Sequence, residues 1–344
     1  MSPTAPKSTP ADDQAQMEDA EMERLLTALG RAREEIGRVV LGQDDLIADL
    51  LVGLIAGGHI LLEGPPGVGK TLLVRTLATV TGLSFARAQF TPDLMPADIT
   101  GSMVLVPDPS GRNRLEFQKG PIFTQLLLAD EINRATPRTQ SALLEAMQER
   151  TVSAAGTSMA LPEPFFVLAT QNPLEMDGTY ILPEAQIDRF LLQLDVPLPS
   201  AKTLSSILDS TTGRVEVKAE QCLTDKEIIA IQDLVRGVPI ADHVRQAIAD
   251  FAIATQPGDP SASPEVRRYL RFGLSPRGAQ ALVLAAKGHA LLNGRVNVGF
   301  EDVKAMLLAT TRHRVHLNFE GNADRVSLAE LLQKLFDSSI KGVL

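Results

Sequence analysis

The residues with the most recognisable chemistry form a glycine-rich segment, Gly64-Pro65-Pro66-Gly67-Val68-Gly69-Lys70-Thr71. Its spacing, G-x-x-x-x-G-K-[ST], lets backbone N–H groups turn toward phosphate oxygens. Lys70 can reach the β- and γ-phosphates of a nucleotide, and the Thr71 hydroxyl can coordinate Mg²⁺. An apolar run, Ile60–Leu62, precedes the segment and a helical pattern, Leu72–Val80, follows it. The sequence therefore predicts a strand, a phosphate-binding loop and a helix whose N-terminus faces the phosphates.

Two adjacent carboxylates follow a second apolar run, Leu126–Ala129. We expect Asp130 to hold the Mg²⁺ shell, directly or through water, and Glu131 to orient and deprotonate an attacking water. The alternative is an acidic helix start, which is favourable at the positive end of the helix dipole. The phosphate-binding loop upstream favours the catalytic interpretation.

A polar amide follows a third apolar run, Phe165–Ala169, within the segment Thr170-Gln171-Asn172-Pro173. At the tip of a buried strand, Asn172 could hydrogen-bond the γ-phosphate and the nucleophilic water. Asn-Pro is also a common turn dipeptide, and on its own that interpretation would be preferred.

Two arginines stand in distinctive positions. Arg189 directly precedes a fourth apolar run, Phe190–Val196. Arg277 lies in the first turn of a predicted helix that Ser275 caps and Pro276 begins. Taken alone, each would be interpreted as a surface guanidinium paired to a neighbour.

The elements that position these residues indicate an α/β domain followed by helices. Three of the four apolar runs lack period-two alternation, which is typical of parallel strands buried between helices on both faces. After 197–200, helical periodicity replaces the strand signal. We predict a disordered tail over residues 1–16, an α/β nucleotide-binding domain with leading helices over 17–200, a linker over 201–223 and a smaller helical domain over 224–344.

Composition narrows the classes of function. The 344 residues suffice for two domains, and 33 Lys+Arg against 42 Asp+Glu give a net charge of −9, which disfavours a nucleic-acid coat. No apolar stretch reaches the ~18–20 residues of a spanning helix, so we expect no membrane insertion. The single cysteine, Cys222, cannot form an internal disulfide, so we expect a cytoplasmic protein.

Six motifs in this order resemble those of the AAA+ ATPases, and within them the MoxR family. They are the glycine-rich loop, LLLADEINRA (126–135), TQSALLEAMQE (139–149), ATQNP (169–173), LPEAQIDRF (182–190) and LSPRG (274–278). Together they extend over about residues 39 to 315. The resemblance implies a AAA+ phosphate-loop domain, with a parallel sheet between helices, followed by a smaller all-helical lid domain.

The resemblance also implies roles for single residues. Asn172 is similar to the sensor 1 residue, and Arg189 to the arginine finger that reaches the ATP of the adjacent subunit. Arg277 is similar to the sensor 2 residue, which reaches from the lid to the γ-phosphate of its own subunit. Gly42 and Gln43 resemble the segment that packs on the adenine.

Two further features stay open at this level. Gln89 and Thr91 are both candidates for the residue that restrains Glu131 until substrate engages. Two hairpins, around 102–117 with a turn at 108–111 and around 151–161 with a turn at 155–156, would face a central pore and contact substrate if the resemblance holds.

The function implied is Mg²⁺-dependent ATP hydrolysis by a homo-oligomeric, hexameric ring. This activity would drive chaperone-like remodelling or maturation of a partner complex, whose client or adaptor can carry a von Willebrand factor A domain. The alternatives are a nucleic-acid motor of the helicase or clamp-loader type and a small-molecule kinase. With no Trp and two Tyr for base stacking, we expect no stable nucleic-acid binding, and no second phosphate-acceptor pocket for a kinase is recognisable.

The histidines receive structural interpretations. His313 and His316 are three residues apart, but no carboxylate or cysteine lies near them in sequence. We interpret the segment Arg312–His316 as a solvated basic turn, and His59, before a buried strand, as a packed histidine.

Overall fold

The computed structural model describes residues 10–107, 113–154, 156–172, 179–212 and 217–343. Its helices are α1 Pro10–Val39, α2 Asp44–Ile55, α3 Lys70–Thr81, α4 Pro96–Thr100, α5 Pro137–Glu149, α6 Glu184–Ile187, α7 Ala201–Thr211, α8 Asp225–Gly237, α9 Asp242–Ala254, α10 Pro264–Tyr269, α11 Pro276–Leu292, α12 Phe300–Thr311, α13 Phe319–Ala323 and α14 Leu328–Val343, with a 3₁₀ turn at Ile132–Arg134. Its strands are β1 Ile60–Glu63, β2 Phe85–Gln89, β3 Gly101–Pro107, β4 Asn113–Lys119, β5 Leu126–Asp130, β6 Thr151–Ala154, β7 Thr157–Ala160, β8 Phe166–Gln171, β9 Leu192–Asp195, β10 Leu270–Phe272 and β11 His316–Leu317. In this described part of the chain, no helix is both long and apolar enough to cross a bilayer.

Five strands form one parallel sheet in the order β2-β5-β8-β1-β9. The four apolar runs of the sequence become β1, β5, β8 and β9, as predicted, and the edge strand β2 joins them. Because all five strands run in one direction, their carboxyl ends meet at one edge of the sheet. We name it the C-terminal edge, and the opposite one the N-terminal edge.

Alternate residues of the central strands face two separate apolar cores. On β5, Leu126 and Leu128 belong to one core, while Leu127 and Ala129 belong to the other. All four are fully buried. A strand covered on both faces has no need for polar positions, which explains the missing alternation.

The first core continues from the sheet into the C-terminal helices. Buried residues of α8, α9, α11, α12 and α14 belong to the same cluster as those of α1, α2 and α3. At Gly288 of α11, an added Cβ would come within 3.2 Å of Val52 on α2. The helical lid and the α/β layer therefore share one continuous core.

Helices extend into two of the predicted segments. Helix α1 begins at Pro10, within the tail predicted over residues 1–16, and residues 1–9 lie outside the described part. Proline fits the first turn of a helix, and the Ala and Gln that follow have good helix propensity. The linker predicted over 201–223 contains α7, whose start the Ser200 hydroxyl caps by accepting from the Thr203 N–H at 3.1 Å.

Both predicted hairpins are present as antiparallel pairs. Strands β3 and β4 pair from Gly101↔Lys119 to Pro107↔Asn113. Strands β6 and β7 pair from Thr151↔Ala160 to Ala154↔Thr157. The turn predicted at residues 108–111 lies outside the described residues, as does Ala155 of the second turn.

Candidate active site

The glycine-rich loop lies at the C-terminal edge, between β1 and α3. Gly67 and Gly69 have φ of 81° and 87°, a left-handed conformation that side chains with a Cβ rarely adopt. Gly69 forms the N-cap of α3, so the backbone N–H groups of its first turn face the loop. Lys70 lies across the loop and donates from Nζ to the Gly64 carbonyl oxygen at 2.7 Å.

The acidic pair lies at the same edge, two strands away from β1. Asp130 ends the fully buried strand β5 and is 9% exposed, and Glu131 follows it in a left-handed conformation, with φ of 56°. On the neighbouring strand β8, Thr170 connects the pair: its hydroxyl donates to Asp130 Oδ1 at 2.5 Å and accepts from the Glu131 N–H at 2.8 Å. Thr170 thus fixes the Asp130 carboxylate relative to the backbone of Glu131.

Strand β2 contributes two polar side chains to the acidic pair. Arg87 donates to Asp130 Oδ2 from Nε at 3.1 Å and from Nη2 at 2.6 Å. The same Nη2 donates to Gln89 Oε1 at 2.9 Å, and Gln89 Nε2 donates to Glu131 Oε2 at 2.8 Å. Of the two candidates for restraining Glu131, the structure brings Gln89 into contact. Thr91 instead hydrogen-bonds Asp93, which lowers the pKa of that carboxyl.

Arg87 and Thr170 were not assigned roles from the sequence. Alternation along β2 places Arg87 and Gln89 on one face, and the parallel register sets Gln89 opposite Asp130. That periodicity was the available signal, but it becomes useful only once β2 is known to pair with β5.

The oxygen donors at this edge fit a magnesium ion. Asp130 supplies a nearly buried carboxylate and Thr71, in the first turn of α3, supplies a hydroxyl. Mg²⁺ prefers such hard oxygen ligands and usually retains water and phosphate ligands besides. Asn172 follows β8 at the same edge and is 6% exposed, so the loop, the acidic pair and this amide all adjoin the carboxyl ends of neighbouring strands.

Gly42 and Gln43 lie beside the loop. Gln43 Nε2 approaches the Val68 carbonyl oxygen at 3.5 Å. Both residues line a cavity of about 440 Å³, together with Asp195 and Arg312, which form an ion pair at 2.5 Å. The position and the volume suit a nucleoside attached to phosphates in the loop. We call the groups at this edge the nucleotide half of the site.

Asp49 on α2 also lines this cavity. Burial, reinforced by the charge of Asp45 and opposed by Arg33, raises its pKa to about 6. The cavity wall therefore carries a desolvated carboxylate whose charge is costly at neutral pH.

The two predicted arginines lie at the N-terminal edge. Arg189 donates from Nη1 to the Leu144 carbonyl oxygen at 2.6 Å. Arg189 and Arg277 line one cavity of about 270 Å³, together with Arg150 and the residues that precede β1. We call this group the arginine half of the site.

The location of Arg277 corrects one expectation. As the sensor 2 residue it was expected to reach the γ-phosphate of its own subunit. In the structure it lies at the edge where β1 begins, whereas the phosphate-binding loop lies where β1 ends. The reason is the packing of the lid: the first residues of α11 contact the segment before β9, where the Ser275 hydroxyl approaches Asp188 Oδ2 at 3.4 Å.

A buried ion pair fixes the segment that carries Arg189. The Arg314 side chain, 3% exposed, donates from Nε to Asp188 Oδ1 at 2.6 Å. It also donates to the carbonyl oxygens of Asp188, Phe190, Leu191 and Thr310. Burial lowers the Arg314 pKa, and the Asp188 carboxylate opposes that shift.

This burial contradicts the interpretation of Arg312–His316 as a solvated basic turn. His313 is 3% exposed and its Nε2 lies 3.1 Å from the Phe190 carbonyl oxygen. Burial and the nearby guanidinium of Arg314 keep the His313 pKa well below its ordinary value. The segment joins the lid to the sheet. Apart from the Thr310 carbonyl oxygen, the acceptors of Arg314 and His313 come from residues more than a hundred positions earlier.

His59 is a packed histidine, as predicted. It is 6% exposed, its Nε2 lies 3.1 Å from the Met147 carbonyl oxygen, and its Nδ1 accepts from the Val167 N–H at 3.0 Å. Burial lowers its pKa to about 4, so the ring is neutral at physiological pH.

Comparisons with known proteins agree with this arrangement. Residues 59–192 match the family described as "ATPase family associated with various cellular activities (AAA)", and residues 264–335 match "AAA lid domain". The chain is 41% identical to Chaperone MoxR1 of Mycobacterium tuberculosis, over 87% of this chain and 78% of that protein. It is 33% identical to Protein MoxR of Paracoccus denitrificans, over 83% of this chain and 88% of that protein.

A solved structure is also similar. The crystal structure of a candidate ATPase from Cytophaga hutchinsonii superposes with a TM-score of 0.86 at 35% identity, covering 94% of this chain and 98% of that one. The agreement thus includes both the α/β layer and the lid. With its phosphate-binding loop, its acidic pair and relatives similar over most of their length, this chain belongs to the MoxR family of AAA+ ATPases.

Proposed function

We propose that this protein hydrolyses ATP at the interface between two identical subunits of a ring. The observation that carries the proposal is the separation of the two halves of the site. Lys70 and Glu131 lie at the C-terminal edge of the sheet, while Arg189 and Arg277 lie at the N-terminal edge. A strand rises about 3.3 Å per residue, so the four residues of β1 hold the halves roughly 13 Å apart. Head-to-tail contact between copies would bring them together.

The nucleotide half supplies the groups that would bind ATP and activate the attacking water. Lys70 would leave the loop carbonyl for the β- and γ-phosphates, and Glu131 would orient the attacking water and accept its proton. Asn172 would hold that water against the γ-phosphate. Thr71 and Asp130 would hold Mg²⁺, which when bound neutralises charge on the phosphate oxygens.

The arginine half would stabilise charge on the phosphoryl group of the neighbouring copy. An arginine supplied in trans can contribute ~10³–10⁵ in rate, so an isolated subunit should turn over slowly. Arg189 has its guanidinium near the edge, and Arg277 shares the same cavity. We therefore assign both arginines to the neighbour's ATP, in place of the expected role of Arg277 within its own subunit.

Mixing two inactive variants tests this division. Lys70→Ala removes a group of the nucleotide half and Arg189→Ala one of the arginine half, so each variant alone should be inactive. In mixed rings, some interfaces combine the intact nucleotide half of an Arg189→Ala subunit with the intact arginine half of a Lys70→Ala subunit. We expect those interfaces to restore part of the ATPase activity.

The matched control mixes Lys70→Ala with Glu131→Gln. Both changes fall in the nucleotide half, so every subunit interface in a mixed ring lacks an intact nucleotide half and no ATPase activity should return. Equal recovery in the two mixtures, or full activity of Arg189→Ala alone at any protein concentration, would contradict the proposal.

We further propose that hydrolysis drives chaperone-like remodelling or maturation of a partner complex by a cytoplasmic, hexameric ring. The relative named Chaperone MoxR1 supports the first part. A client or adaptor with a von Willebrand factor A domain is the expected partner. Glu131→Gln should bind ATP without cleaving it, and its trapped client can be identified by mass spectrometry. Stimulation of the ATPase by single-stranded DNA would favour the alternative of a nucleic-acid motor.

A further inference from the structure

Helix α7 has an apolar face that the described part of the chain leaves uncovered. Leu204 and Leu208 lie one turn apart and are 46% and 52% exposed, and Leu198, just before the helix, is 72% exposed. No residue of the helix is buried. Helices in proteins take most of their stability from packing an apolar face, so this face indicates a partner.

The start of α7 adjoins the nucleotide half. At Gly42, an added Cβ would lie 2.5 Å from Cγ2 of Thr203, so the first turn of α7 packs on the segment beside the nucleoside cavity. The apolar face therefore belongs to the side of the molecule that would meet the arginine half of a neighbouring copy.

An apolar groove lies beside the arginine half. It has a volume of about 440 Å³, runs between α9 and α11, and is lined by Ile248, Ala249, Ala279, Val283 and Leu284, with Arg245 at its rim. Leu284 and the neighbouring Gln280 also line the cavity that holds Arg189 and Arg277. The groove and the arginine half are thus one continuous surface of the chain.

We propose that α7 of one copy docks in the α9–α11 groove of the next copy. This inference rests on the proposed function, because joining the two halves of the site also brings the surfaces beside them together. The leucines of α7 suit a groove of small and aliphatic side chains. Asp209 on α7 carries a charge opposite to that of Arg245 at the groove, which in the single copy pairs with Asp242 of its own helix at 2.5 Å. Each copy has one helix and one groove, so the contact repeats around a closed ring.

A charge on the apolar face tests the contact. Leu208→Asp should raise the protein concentration that gives half-maximal ATPase activity by about tenfold or more, because an apolar contact is replaced by a buried charge. Leu208 is half exposed, so circular dichroism and thermal unfolding of the subunit should stay as in the wild type. The matched control is Val296→Asp, since Val296 is 54% exposed and lies on neither surface. An unchanged concentration dependence for Leu208→Asp would overturn the proposal.

Cross-linking in trans identifies the occupant of the groove. In a Cys222→Ser background, Leu208→Cys and Val283→Cys are prepared as separate chains and oxidised alone or mixed. A disulfide-linked dimer should form in the mixture and in neither single variant. A chain that carries both cysteines should give linked oligomers, whereas a disulfide within one monomeric chain would show α7 in its own groove and overturn the proposal.

The mixing and cross-linking experiments together distinguish failure of the α7 contact from failure of the proposed function. If the mixture of Lys70→Ala and Arg189→Ala regains ATPase activity but the cysteine pair forms no dimer, the ring site stands and the docking of α7 is wrong. If neither result is obtained, both proposals fail. Regained activity together with the dimer supports both.

Discussion

Replacing Asp188 with Ala should lower the free energy of unfolding by about 3 kcal/mol. Removing one partner of a buried ion pair costs ~3–5 kcal/mol, because the remaining charge is buried without compensation. Here the remaining charge is Arg314, whose side chain is 3% exposed, while Asp188 is 23% exposed. Four backbone carbonyls still accept from the guanidinium after the change, so we expect the lower end of the range.

Urea denaturation of four proteins measures this effect: the wild type, Asp188→Ala, Arg314→Met and the double variant. The two groups share one hydrogen-bonded pair, so their effects should be non-additive by about 2 kcal/mol. Asp188→Asn keeps an acceptor and should cost about half as much as Asp188→Ala. The control is Asp233→Ala, an exposed carboxylate on α8 whose removal should change stability by less than about 0.5 kcal/mol.

Two results would contradict this role of the ion pair. One is an unfolding free energy of Asp188→Ala within about 0.5 kcal/mol of the wild-type value, and the other is simple additivity of the two single effects. Either result would mean that the backbone carbonyls alone solvate Arg314. The ion pair would then not determine how the lid is joined to the segment that carries Arg189.

Three further predictions concern single residues. Because burial lowers the pKa of His59 to about 4, the unfolded chain binds a proton between pH 6.5 and 4 that the folded chain does not. The free energy of unfolding should therefore fall by about 3 kcal/mol as the pH is lowered from 6.5 to 4. In urea denaturation, His59→Gln should make the free energy of unfolding less dependent on pH over this range. Because the pKa of Asp49 is raised from 3.8 to about 6, ionisation of this carboxyl destabilises the folded protein as the pH rises from about 4 to 6. Asp49→Asn should therefore be about 3 kcal/mol more stable than the wild type at pH 7.5 and no different at pH 3.5. Gln89→Ala removes a hydrogen bond that holds Glu131 and should raise ATPase activity without client by up to about tenfold; an unchanged rate would show that Gln89 does not restrain Glu131.

The central strands and the phosphate-binding loop could be predicted because local sequence determines both. A run buried on both faces is apolar throughout, and the loop needs glycines at fixed positions. Strand β2 was missed since Arg87 and Gln89 interrupt its apolar pattern, and they do so because they contact the acidic pair. The two polar residues that obscure the strand pattern in the sequence are therefore the same two that contact Asp130 and Glu131.

The buried basic segment and the location of Arg277 could not be predicted, for a different reason. Arg314 and His313 are buried because carbonyl oxygens from the segment before β9 accept their hydrogen bonds, and these acceptors are distant in sequence. Similarly, Arg277 lies at the N-terminal edge through the packing of a whole helix against the sheet. In both cases the sequence identifies the basic residue, but it does not predict where tertiary packing places that residue relative to the sheet.

The first core, which joins the lid helices to the sheet, limits how this protein can move. Swinging the lid as an independent flap would expose side chains that are almost wholly shielded from water, at a cost of about 25 cal/mol for each Å² uncovered. Each subunit should therefore behave as one stiff block during turnover. In the ring that we propose, the conformational change during turnover would then occur at the interfaces between subunits, as a change in the angle between successive copies.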